Sequence, residues 1–153
     1  MTSALLLVVG AALLVAGATM SARALTGRQR IRQELADQKI CFPDADHLPA
    51  AFARYAGVQV RTGGQARAFA DLIGTHVAKA TAGRTYAEIT EELRTCGGAD
   101  ERLTKLRETA FMGQSLRASL LGAYQAWQIT TLVIGLGGLL AAIGLAFLAQ
   151  AVA

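Results

Sequence analysis

The sequence is poor in the residues from which most catalytic and metal sites are built. Its 153 residues include two cysteines, two histidines, two prolines and one tryptophan. Cys41 and Cys96 lie far apart with no CxxC, which excludes the usual thiolate zinc site. Charge is missing from both ends: Met1–Ala22 and Ala118–Ala153 contain no Asp, Glu, Lys or Arg. Uncharged apolar stretches of that length do not suit a solvated helix face. Both prolines, Pro43 and Pro49, lie in one stretch, so no proline interrupts a helix elsewhere.

What fills the two ends is apolar. Ile129–Ala149 reads ITTLVIGLGGLLAAIGLAFLA, 21 residues whose only polar members are two threonines. About 20 apolar residues span a bilayer core as a helix, and in lipid the backbone must bond within its own segment. Leu5–Met20 (LLLVVGAALLVAGATM) is the second such run. No Lys or Arg precedes it and it is long for a signal peptide, so it reads as a span. The expectation is an all-α membrane protein, with two transmembrane helices flanking a small helical domain. The first transmembrane helix is expected over 3–22 and a basic helical extension over 23–38. A small, mainly helical loop domain covers 39–117, a juxtamembrane helix 118–127, and the second transmembrane helix 128–150. The expected location is the cell (plasma) membrane, crossed twice.

The charge is confined to the middle. All 15 Lys and Arg fall between Arg23 and Arg117, and Arg23, Arg28, Arg30 and Arg32 precede any acid. Beyond them, 11 basic residues face 11 acidic ones, so the whole formal charge of +4 is this one patch. Beside an apolar helix it reads as a topology signal or an anionic-lipid contact. No recognition motif accompanies it, so nucleic acid is excluded as a partner. The positive-inside rule puts the loop in the cytoplasm. A paired-cysteine reading would suit the opposite, oxidising side; the balance tips slightly to the charges.

Local signals mark the connecting region. Lys39–Phe42 and Gly57–Arg61 alternate, and either pair as a tiny ladder or stay extended. Pro49 opens a short helix ending near Gly57. Gly63-Gly64 reads as a break. Ala66, Phe69, Ala70, Ile73, Val77 and Ala80 follow at helical spacing and predict a helix packed on one face, ended by Gly83. Thr85-Tyr86-Ala87-Glu88 is a capping box for a helix with Tyr86, Ile89 and Leu93 on its apolar side. Asp100 caps a last helix that runs unbroken to about Gln150, with Tyr124 and Trp127 at the expected interface. Arg30 with Glu34 and Glu101 with Lys105 have the spacing of helical ion pairs. Arg117 suits a headgroup contact or a pair with an acid of the loop domain.

Five segments taken together resemble a family of uncharacterised actinobacterial two-span membrane proteins. They are Leu35-Ala-Asp-Gln-Lys-Ile40, Tyr55-Ala-Gly57, ARAFADLIGTH from Ala66 to His76, Gly83-Arg-Thr-Tyr-Ala-Glu88, and Leu116-Arg-Ala-Ser-Leu-Leu121. The resemblance implies two spans with a folded connecting domain and no known substrate. Some members carry the label of an aromatic ring-opening dioxygenase. That activity is not carried over, because its iron needs a set such as two His and a carboxylate, and this chain has only His47 and His76.

Three constellations remain. Cys41 and Cys96 would form a disulfide if the loop lies outside the cytoplasm and stay thiols if it lies inside. His47, His76, Asp44 and Asp46 could build a metal or acid–base site, although nothing in their spacing brings them together. Gly138, Ala142 and Ala146 recur at four-residue spacing and allow close approach of another helix. That helix is either the chain's own first span, through Ala12 and Ala16, or a partner. The expected role is that of a non-catalytic accessory or interaction protein of the cell envelope, without cofactor or bound metal. Its partners are the lipid bilayer and a membrane protein or a second copy. The alternative is a membrane-bound enzyme with a His/Asp site in the loop domain.

Overall fold

A computed structural model describes residues 2–152. It is all-helical: α1 Thr2–Asp37, α2 Gly63–Ala80, α3 Tyr86–Thr95 and α4 Glu101–Val152, with short 3₁₀ turns at Ala45–His47 and Ala50–Tyr55. Two compact units divide the chain. One takes the chain up to Glu34 and again from Ala126; the other is Leu35–Gln125.

The first unit is a pair of antiparallel helical stretches. Both parent helices are long and apolar enough to cross a membrane, and only 11% of the most apolar window of each is buried. The seam between them is made of glycine. A Cβ at Gly10 would stand 2.9 Å from the Gly144 carbonyl oxygen, and one at Gly144 would stand 2.6 Å from that of Gly10. A Cβ at Gly17 would strike the Gly137 carbonyl, and one at Gly137 would strike Ser21 and the Gly17 carbonyl. Gly10, Gly17 and the buried Ala24 recur every seven residues, as do Gly137 and Gly144. A seven-residue step drifts only about 20° around a helix, so it holds one seam when the two helices supercoil.

The second unit is built from turns and caps. The two short extended pieces do pair. Phe42 N–H donates to Val58 O (3.0 Å), Val60 N–H to Ile40 O (2.9 Å) and Gly57 N–H to Pro43 O (3.2 Å), around one antiparallel bridge between Cys41 and Gln59. Gln59 Nε2 donates to Ala36 O (2.8 Å), satisfying a carbonyl at the end of α1. The ladder buries Phe42 and Val60, and Phe42 stacks on Tyr55 (4.9 Å) and meets Phe69 edge-on (5.0 Å).

Gly63-Gly64 is not a break. Thr62 and Gln65 form a capping box, and both glycines lie in the first turn of α2. Nor is α2 packed on one face. Ala66 and Ala70 are buried as expected, but so are Ala68 and Leu72, while Ala80 is exposed. Ala82 (φ +52°) and Gly83 (φ +79°) turn the chain out, and Gly83 N–H donates to Ala78 O (2.7 Å). The Thr85–Glu88 box opens α3, and Ile89 and Leu93 form a small core with Leu103, Leu106 and Ala110. Tyr86 stays half out, its ring 5.9 Å from Phe111. Asp100 Oδ1 accepts from the amides of Arg102 (2.8 Å) and Leu103 (3.0 Å) to start α4. Along α4, Gly113 lies against Val77, Leu120 is buried and Leu116 is exposed.

Candidate functional site

Two features of the helical pair single themselves out: a polar clamp and a bare outer face. The clamp is made by Arg28. Its Nε donates to Thr130 Oγ1 (3.2 Å), its Nη2 donates to Thr131 Oγ1, and its guanidinium carbon lies 4.8 Å from the Trp127 ring centroid. Both threonine hydroxyls also donate to Trp127 O, at 2.7 and 3.1 Å. The oxygens therefore present lone pairs to a cation, and the indole face adds its own attraction. The only two hydroxyl residues of the Ile129–Ala149 run and the only tryptophan of the sequence thus converge on one arginine.

This divides the arginine patch. Arg28 is half-buried at the seam, whereas Arg23, Arg30 and Arg32 are exposed. The sequence groups all four, because a charge count does not see which side of the helix each occupies. Arg30 and Glu34 do not pair, nor do Glu101 and Lys105. The ion pairs among the described residues are Arg67–Asp71 (3.0 Å), Arg84–Glu92 (2.6 Å) and Arg94–Glu91 (2.6 Å). Arg117 meets no acid either: it lies over Gly74, and its buried Nε has no hydrogen-bond partner among the described residues.

The bare face is the second feature. Gly138, Ala142 and Ala146 are exposed, and nothing lies within 4 Å of where a Cβ would stand on Gly135 or Gly138. Ala12 and Ala16 are exposed too, so of the two alternatives the self-packing through them does not occur. A four-residue step advances about 40° past a full turn, and such a stripe wraps away from a seam that the seven-residue glycines occupy.

The other candidates are not assembled. Cys41 and Cys96 are free, exposed thiols. Cys41 is held by the ladder, with its Sγ 3.8 Å from Lys39 O, and Cys96 closes α3, its N–H donating to Glu92 O (3.1 Å). Asp44, Asp46, His47 and His76 are exposed. Among the described residues no three His, Cys, Asp or Glu side chains are grouped to hold a metal ion. His47 sits on a 3₁₀ turn and His76 on α2, each fixed by its own local element.

Comparison with protein-family models, with curated proteins and with solved structures finds no match for this chain.

Proposed function

We propose that the chain is a two-span integral protein of the plasma membrane, and that it acts without catalysis as an accessory or interaction subunit of the cell envelope. The observation that carries this reading is the division of labour on α4. Its Gly137–Gly144 side is filled by α1, while its Gly135, Gly138, Ala142 and Ala146 side is bare. In lipid, small residues let helix backbones approach closely, so the bare side suits a helix of a partner protein or of a second copy. The positive-inside rule applied to Arg23, Arg28, Arg30 and Arg32 favours the cytoplasm for the connecting domain. The free, exposed thiols of Cys41 and Cys96 suit that reducing side. The proposal extends to membership of the actinobacterial two-span family that the sequence resembles.

The test is mild cross-linking of the full chain in intact membranes. An adduct is expected, and Gly138→Leu, which fills the outer face and leaves Gly137 in place, is expected to lower its yield about fivefold. Recovery of the chain alone after cross-linking would contradict the proposal.

A further inference from the structure

The outer part of the arginine patch has no hydrogen-bond or ion-pair partner among the described residues, and it borders a groove. We propose that Arg23 and Arg30, with Thr26 and Gly27 between them, hold the phosphate of an anionic phospholipid headgroup. The proposal rests on the two-span reading. Arg23 and Arg30 stand seven residues apart, two turns and about 10 Å along one side of α1. Both are exposed. Neither has a hydrogen bond or an ion pair among the described residues, whose ion pairs all lie elsewhere. A shallow groove between them is lined by Ala22, Arg23, Thr26, Gly27 and Arg30.

The floor of that groove is open for a simple reason. Gly27 has no side chain, and a Cβ there would meet only the Thr130 methyl, at 3.8 Å. Thr26 turns its hydroxyl hydrogen back to Ala22 O (3.0 Å), which leaves the oxygen at the rim and no bulky group in the way. Guanidinium forks match phosphate oxygens in pairs, and two flexible stems let both forks converge on one phosphate.

The position decides between a lipid and a free phosphate. The groove begins at Ala22, the last residue of the uncharged stretch. Along the same side of α1 the exposed residues Val8, Ala12, Val15 and Thr19 precede it at three- and four-residue steps. An acyl chain lying on that strip would carry its headgroup to the level of the two arginines. Arg28 takes no part, since Thr130, Thr131 and Trp127 already occupy its guanidinium.

The full chain, reconstituted in vesicles of equal phosphatidylcholine and phosphatidylglycerol, would be extracted in mild detergent and its retained lipid identified by mass spectrometry. Phosphatidylglycerol is expected to be enriched about fivefold in the wild type and in Arg32→Gln, which loses a charge outside the groove. Arg23→Gln with Arg30→Gln is expected to retain the two lipids about equally, and excess inorganic phosphate is expected to leave the wild-type enrichment in place. Equal retention by the wild type, unchanged enrichment in the double variant, an equal loss in Arg32→Gln, or displacement by inorganic phosphate would each overturn the site. Flotation with the vesicles separates the two levels of the claim. A chain that floats without lipid preference overturns only this site, and one that does not float overturns the two-span reading with it.

Discussion

In the helical pair, four glycines set backbone against backbone and Arg28 makes a polar contact at the charged end. In the connecting domain, two capping boxes, an Asp cap and one β-bridge fix short elements around a handful of buried side chains. The first is held by the absence of side chains, the second by particular side chains at particular ends. Addition should therefore damage the pair, and removal should damage the domain.

The largest effect is expected in the domain core. Ile89→Ala leaves a cavity beside Leu93 and Leu103 and should cost about 3 kcal/mol, read as a lower denaturant midpoint for the domain. In the pair, Gly17→Leu drives a side chain into the Gly137 carbonyl and should cost about 2 kcal/mol in a thermal-stability measurement in detergent micelles. Gly138→Leu, one residue from the seam, should change the same measurement by less than about 0.5 kcal/mol. Equal losses from both leucines would erase the distinction between inner and outer faces.

Smaller effects come from the caps. Thr85→Ala removes the acceptor of the Glu88 amide and should cost about 1 kcal/mol, seen as faster hydrogen exchange across α3. The Glu88 carboxyl is held below its ordinary value of 4.5, first by the Thr85 N–H, then by the Thr85 hydroxyl, with Arg84 adding to both. A depressed carboxylate gives stability that is complete above the ordinary value and is lost as pH falls through the lowered one. Protection of the α3 amides, taken relative to their intrinsic exchange rate at each pH, should thus decrease as pH falls from the ordinary value of 4.5 through the lowered one. Glu88→Gln should flatten that dependence, and an unchanged pH profile in this variant would remove Glu88 from the account.

What could be read from the sequence follows the same division. Thr85–Glu88 and Asp100 announce their helices because a cap is chemistry between residues two or three apart. The alternation of Lys39–Phe42 and Gly57–Arg61 allows either a ladder or extended chain, and the structure makes the ladder. Thr62–Gln65 is an equally local signal, but Gly63-Gly64 reads as a break unless the flanking cap is weighed first. The seam was harder. Gly10, Gly17, Gly137 and Gly144 are spaced by seven, but their pairing depends on two stretches more than a hundred residues apart. The four-residue stripe of Gly138, Ala142 and Ala146 is the tighter local pattern. Arg28 reads with its neighbours for the same reason: which side of a helix matters is decided by what the other helix brings.

The most direct test of the account is a cysteine pair placed across the seam where there is room for it. On a background of Cys41→Ser and Cys96→Ser, Gly27→Cys would be combined with Thr130→Cys, since a Cβ at Gly27 stands 3.8 Å from the Thr130 methyl. The control combines Gly27→Cys with Ile129→Cys, because Ile129 is exposed. Both would be oxidised in carbonate-washed membranes and the linked peptides identified by mass spectrometry. The account predicts rapid linkage of 27 to 130, little of 27 to 129, and retention of the chain in the washed membranes. Equal linkage of the two pairs, linkage of the control alone, or release of the chain by carbonate would contradict it.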